Sequence, residues 1–200
     1  LKTQNEFLMN EIELLKIEKD KDVKRLAILE AQIKGKNLIF KGLYAQQSAK
    51  DEVKKTCMEI LKMEDISSIK SAKKLFERDG KMTVLVEFQS EDNVVDVLSK
   101  TNKLKGSTIY IERDLVIEKQ QNKVVFLQLK RDILAGSRKH SIVVRDERMK
   151  IEEKWFKFDK DKKLLCGKRD GETILKELYG NEFNVNVNYN LLLNKLNLKN

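Results

Sequence analysis

The stretch Ile69-Lys70-Ser71-Ala72-Lys73-Lys74-Leu75-Phe76-Glu77-Arg78-Asp79-Gly80-Lys81-Met82-Thr83-Val84-Leu85-Val86-Glu87-Phe88 decides how the chain folds. Two strand-like runs, Ile69 to Glu77 and Lys81 to Phe88, flank Asp79-Gly80. A two-residue hairpin loop of type I′ needs positive φ at both central residues, and Asp-Gly meets that demand at low steric cost. The stretch therefore predicts a β-hairpin. In its second run Val84, Val86 and Phe88 alternate with Thr83 and Leu85, so the first set makes one buried face and the second the opposite one.

Upstream, Asn37-Leu38-Ile39-Phe40-Lys41-Gly42-Leu43 is short, apolar and closed by glycine, and reads as another buried strand. Between it and the hairpin, Asp51 to Lys62 carries Val53, Cys57, Ile60 and Leu61 at helical spacing. Downstream, Ser90 can cap a helix whose inner face is Val94, Val97 and Leu98. Leu104-Lys105-Gly106-Ser107 then turns the chain into a last strand, Thr108 to Arg113. This is the βαββαβ order of a ferredoxin-like unit, the plan of RNA-recognition motifs, which place helices on one sheet face and nucleic acid on the other. Here Leu38 and Phe40 are expected in the core and Ile39 towards a ligand. Thr83 and Leu85 stand where stacking aromatics are usual, and Tyr110 is the one aromatic this pattern places outward. Binding of a nucleic-acid backbone through charge is thus expected ahead of sequence-specific reading of bases.

Before this unit, Leu1, Asn5, Leu8, Ile12, Leu15, Lys19, Asp22, Leu26, Leu29 and Ile33 follow one another at intervals of three and four, and seven of the ten are Leu or Ile. That is a heptad seam, with polar Asn5 and Lys19 at a-type positions of the kind that specify register or strand number. Asp22 is out of character at d, and Val23 beside it can take over the contact. The narrow stripe between charged flanks predicts self-association through Leu8, Ile12, Leu15, Lys19, Leu26, Leu29 and Ile33. The alternative is a single amphipathic helix packed on the chain's own body. Leu1 enters the pattern without a cap, so the helix is expected to begin further upstream. Gly35 is expected to end it in a left-handed conformation.

After the unit, Leu115 to Leu134 reads as a helix with Val116, Val124, Leu127 and Ile133 as apolar positions and Lys119 and Lys123 one turn apart. A basic connector, Ser137-Arg138-Lys139-His140, leads to strand-like Ile142-Val143-Val144, Met149-Lys150-Ile151 and Trp155-Phe156-Lys157-Phe158. These predict a helix plus a small antiparallel sheet. Trp155 and Phe158 either stack on bases or form the core of that sheet. Asn181 to Asn200 alternates Asn with Val and Leu and reads as an edge strand or a tail. The expected organisation is α+β, with a coiled coil over 1–34, the recognition-motif unit over 35–115, the basic module over 116–180 and a tail over 181–200.

Composition narrows the function classes. Of 200 residues 36% are charged, with a net charge of +9. That charge is concentrated late: Val116 to Asp170 holds 16 basic against nine acidic side chains, whereas Leu1 to Ile33 holds six against seven. A polyanionic partner is the natural implication; a lysine-rich solvated surface is the plain alternative. No apolar run is long enough for a membrane span, and Glu6, Glu11 and Glu13 interrupt any signal-peptide pattern. Two distant cysteines, Cys57 and Cys166, suggest neither a disulfide framework nor a zinc site, and a reducing compartment is expected. With a single histidine, His140, the chain is short of parts for metal or triad chemistry. No catalytic residue, metal or cofactor is expected, and Asp159 with Asp161 in a lysine-rich turn makes a poor nuclease site.

The order of coiled coil, degenerate recognition motif and basic module resembles the first open-reading-frame protein of LINE-type retrotransposons. The resemblance is carried by Asn37-Leu38-Ile39-Phe40 with Gly42, Ile69 to Lys74, Thr83-Val84-Leu85-Val86-Glu87-Phe88, Leu104-Lys105-Gly106, and Ile109-Tyr110-Ile111 leading into Asp114-Leu115, and it spans Leu1 to Phe158. It implies a binder of single-stranded RNA and DNA that coats its own transcript as a nucleic-acid chaperone. It also implies assembly through the coiled coil, usually as a trimer with a dimer also open, and residence in cytoplasmic ribonucleoprotein particles or the nucleus. Family contacts, which lie in a cleft between the two modules, map onto Lys73, Lys74, Arg78, Lys81 and Tyr110. Lys119, Lys123, Arg131, Arg138 and Lys139 are added by charge alone. The short Asp79-Gly80 turn departs from relatives with a longer basic loop there. The competing function is a structural coiled-coil assembly protein whose sheet domains make protein contacts, and neither reading includes a membrane or a small-molecule substrate.

Overall fold

The computed structural model describes residues 2–137, 139–180 and 184–197. It is mixed α+β, with a long N-terminal helix and two antiparallel sheets, and divides into two compact units, Leu1–Asp114 and Leu115–Asn200.

The first unit opens with helix α1 (Lys2–Gly35), uninterrupted because nothing in it breaks a helix before its final glycine. Leu8, Ile12, Leu15, Leu26, Leu29 and Ile33 are all exposed along it. Gly35 stays helical and does not take the expected left-handed backbone; a Cβ there would run into the Glu91 side chain. Next come β1 (Asn37–Tyr44), α2 (Ala49–Lys55), β2 (Ile69–Arg78), β3 (Lys81–Phe88), α3 (Glu91–Ser99) and β4 (Tyr110–Arg113). One π-turn, Thr56–Ile60, continues α2, and it leaves Val53, Cys57 and Leu61 all fully buried. Ser90 caps α3 reciprocally: its hydroxyl accepts from the Asn93 amide, and Asn93 Oδ1 accepts from the Ser90 amide.

The strands pair in the order β2-β3-β1-β4, all antiparallel. Asp79 and Gly80, at φ 53° and 69°, close the β2–β3 hairpin with the two positive angles that Asp-Gly predicts. Leu38, Phe40, Val84, Val86 and Phe88 cover one sheet face and bury themselves against Val53 and Cys57 from the α2 side and Val94 and Val97 of α3. The opposite face carries neither helix. Asp114 ties the unit's ends together, its carboxylate taking a hydrogen bond from Asn37 Nδ2 (3.1 Å) and facing Lys34 Nζ at 3.9 Å.

The second unit runs α4 (Ile117–Gly136), β5 (Ile142–Arg145), β6 (Arg148–Ile151), β7 (Lys154–Phe158), β8 (Leu164–Cys166), β9 (Arg169–Asp170), α5 (Gly171–Tyr179) and α6 (Tyr189–Asn197). The five strands form a simple antiparallel meander. Ile142, Met149, Ile151, Phe156 and Phe158 make its inner face, packed against Val125, Phe126 and Leu129 of α4 and Ile174 and Leu175 of α5. Strand parity therefore divides the aromatic run: Phe156 and Phe158 are core, whereas Trp155 lies on the other face, 41% exposed. Asn181 to Asn200 yields neither an edge strand nor an unstructured tail over its described part, but a helix. Asn188 Oδ1 caps it at the Leu191 amide, and Tyr189 and Leu192 enter the core, the Tyr189 ring edge-on to Phe158 at 4.9 Å.

One backbone position is sterically demanding. Gly42 sits at φ 79° where β1 slips one residue against β3, and a Cβ there would overlap the carbonyl oxygen of Thr108. Gly42→Ala is expected to lower stability by about 2 kcal/mol or more, through backbone strain and overpacking. Gly80→Ala, where a Cβ would meet open space, should cost about 1 kcal/mol. Urea unfolding of the two variants measures the difference, and equal losses would contradict this reading of Gly42.

Candidate nucleic-acid interface

Residues directly opposite one another in an antiparallel pair share a face, so the register shows what the helix-free face of the first sheet carries. One row across β2-β3-β1-β4 is Phe76, Thr83, Lys41 and Tyr110. The row beside it, towards the hairpin turn, is Arg78, Lys81 and Tyr44. On the other side lie Lys73, Leu85, Ile39 and Glu112, and then Ser71, Glu87 and Asn37. Tyr110, Phe76 and Tyr44 are 68%, 59% and 53% exposed. Phe76 and Tyr110 stand on the two outer strands, three interstrand gaps or roughly 14 Å apart.

Tyr110 is therefore not the only aromatic on this face. Phe76 and Tyr44 join it because of two bulges. The β2–β3 register shifts between Lys74 and Phe76, leaving Leu75 as the extra residue, and the β1–β3 register shifts between Lys41 and Leu43, leaving Gly42. Each bulge reverses the parity beyond it. A strictly alternating pattern carries no mark of Leu75. Gly42 alone, an interior strand glycine, is a usable signal.

Charge on this face is partly spent locally. Lys41 pairs with Glu112. Lys70 holds Glu87 at 2.5 Å, and this hydrogen bond keeps the Glu87 carboxyl below the usual carboxylate range. Arg78 lies 3.4 Å from its neighbour Asp79. Lys73 and Lys81 form no ion pair among the described residues. Lys74 does not share the face with Lys73: it stands opposite Val84, on the helix side, and bonds Glu77 at 3.1 Å.

In the second unit, Lys119 and Lys123 lie one turn apart on α4, and Lys119 bonds Glu147 at 3.2 Å. Arg131 and Lys139 are exposed, and Arg138 falls outside the described residues. His140 lies 3.2 Å from both Glu152 Oε1 and the Leu178 carbonyl, edge-on to Tyr179, and so joins the start of the sheet to the end of α5. Asp159 Oδ1 accepts from the amides of Asp161 and Lys163, which fixes that turn. Among the described residues no group of three His, Cys, Asp or Glu side chains could hold a metal ion, and no helix is long and apolar enough to cross a membrane. No family model matches the chain, and no curated protein matches it.

The two thiols differ in environment. Cys57 lies in the first core, where burial pushes its pKa up to about 12, whereas Cys166 is only half-buried. Because the thiolate is the reactive form, iodoacetamide on the folded chain should modify Cys166 and spare Cys57 until denaturant is added. Peptide mapping that found Cys57 modified first would contradict the packing described for α2.

Proposed function

We propose that the chain is a non-enzymatic, self-associating binder of single-stranded nucleic acid, RNA and also DNA. One observation carries the reading: Tyr44, Phe76 and Tyr110 stand exposed on a helix-free sheet face among Lys41, Lys73, Arg78 and Lys81. Single strands are bound without sequence reading by this combination, aromatic rings for the bases and cations for the backbone, at about 1–3 kcal/mol per stacked base. The element order and the strand order β2-β3-β1-β4 support treating the first unit as an RNA-recognition-motif relative of the ferredoxin-like kind.

The exposed Leu and Ile seam of α1 supports a coiled coil, with a trimer favoured by the resemblance and a dimer also open. Several weak surfaces held on one assembly gain avidity through effective concentration. In this account the protein coats a transcript in cytoplasmic or nuclear ribonucleoprotein particles and acts as a nucleic-acid chaperone in retrotransposition. The same exposed seam favours the second reading, a structural coiled-coil assembly protein whose sheets contact other proteins. Charge reversal at Lys119, Lys123 and Arg131 separates the two: lost RNA binding with unchanged oligomers supports the first.

The direct test uses a short labelled single-stranded RNA. Binding should fall with salt at a log–log slope of about 0.7 per phosphate neutralised. Phe76→Ala and Tyr110→Ala should each weaken it about five- to a hundredfold while changing stability by less than about 0.5 kcal/mol, since both side chains are exposed. Lys73→Glu should weaken it more than Lys74→Glu. A slope near zero, or aromatic variants that bind as the parent does, would overturn the reading.

A further inference from the structure

The face of the second sheet turned away from α4 and α5 has its own pattern. Its rows are Val143, Lys150 and Trp155, then Arg145, Arg148, Lys157, Leu165 and Asp170. Trp155 is 41% and Val143 50% exposed. Arg145 stands directly opposite Arg148, and Arg148 directly opposite Lys157, so three cations occupy adjacent positions on three neighbouring strands. Like charges in that relation destabilise a sheet. Arg145, Arg148 and Lys157 form no ion pair among the described residues, although Asp146 and Glu147 lie in the turn between the first two. Glu147 in the adjoining turn bonds Lys119, Glu153 bonds Lys150, and the Asp170 carboxylate is engaged by the hydroxyl and amide of Thr173 at the start of α5.

We propose that this face is a second single-strand surface, with a base stacked on Trp155 and the flanking phosphates held by Arg145, Arg148 and Lys157. The proposal rests on the single-strand reading of the chain but concerns a different sheet and different residues. A polyanion relieves the repulsion among the three cations, and a flat base covers the indole, which an ordinary ion cannot do. Trp155 and Lys157 are two residues apart on one strand, about 7 Å, so a base and a nearby phosphate of one extended strand can reach both. Lys119, Lys123 and Arg131 are on α4, which packs on the other side of the sheet.

Trp155 is the chain's only tryptophan, so its emission reports this face without a label. The experiment titrates the full chain with an oligouridylate and follows Trp155 emission and its quenching by acrylamide. Overall binding is read separately from the anisotropy of a labelled copy of the same oligomer. The expected result is a change in Trp155 emission and protection from acrylamide that saturate with the anisotropy. Arg148→Glu together with Lys157→Glu should remove that response. Trp155→Ala should weaken binding about five- to a hundredfold, with Trp155→Phe restoring most of it. Anisotropy that rises while Trp155 stays unprotected and Trp155→Ala binds as the parent does overturns this proposal and leaves the first sheet's role standing. No anisotropy rise overturns both. Trp155 emission that follows protein concentration without any RNA identifies a protein contact and also overturns it.

Discussion

Strand β3 is paired on both sides, and the character of the first unit depends on how its neighbours fit it. Both β1 and β2 carry an extra residue at adjoining levels of β3, β1 opposite Thr83 and Met82 and β2 opposite Val84 and Thr83. On the β1 side the extra residue is Gly42, which passes the Thr108 carbonyl at a distance no side chain allows. The bulge returns Leu43 to the core and sends Tyr44 outward; unbroken alternation would do the reverse. On the β2 side the extra Leu75 does the same for Phe76, which would otherwise follow Ala72 and Lys74 onto the helix face. The core and the exposed aromatic set are thus two outcomes of one pairing constraint.

The two sheets share a division of labour. Each commits one face to helices and buries it thoroughly, and each leaves cations on the other face beside exposed rings, Tyr44, Phe76 and Tyr110 on the first sheet and Trp155 on the second. An exposed ring gains nothing from solvent, and like charges directly opposite one another repel. The unequal charge of the chain has its structural meaning here. On the first sheet, carboxylates already answer part of the positive charge: Glu112 meets Lys41, and Glu87 meets Lys70. In the second, Glu147 meets Lys119 and Glu153 meets Lys150.

Much of the fold could be read from the residues. Asp79-Gly80, the alternation in Lys81 to Phe88, the Ser90 cap and the periodicities of α1 and α4 are local signals, each with a local physical cause. The misplaced features depend on pairing or tertiary burial. A bulge at Leu75 leaves no compositional trace, so alternation alone puts Phe76 on the helix side, and the run Lys73-Lys74 gives no sign of which lysine faces away from the helices. In Asn184 to Asn188 the alternation hid a helix start: Asn188 is its cap, and only the docking of Tyr189 and Leu192 makes a helix the better solution. The aromatic run alone leaves Trp155 as core or surface, because its exposure depends on which parity of β7 faces α4. Net charge alone marks no position: Lys119 and Lys123 lie on α4, whereas Arg145, Arg148 and Lys157 come together only through strand pairing.

The central claim is that single strands lie on the helix-free face of the first sheet. Ultraviolet cross-linking of the full chain to a single-stranded RNA, with the modified residues identified by peptide mass spectrometry, tests it most directly. The account predicts adducts on Tyr44, Phe76 and Tyr110. Adducts confined to α1, or to the helix side around α2 and α3, would contradict it.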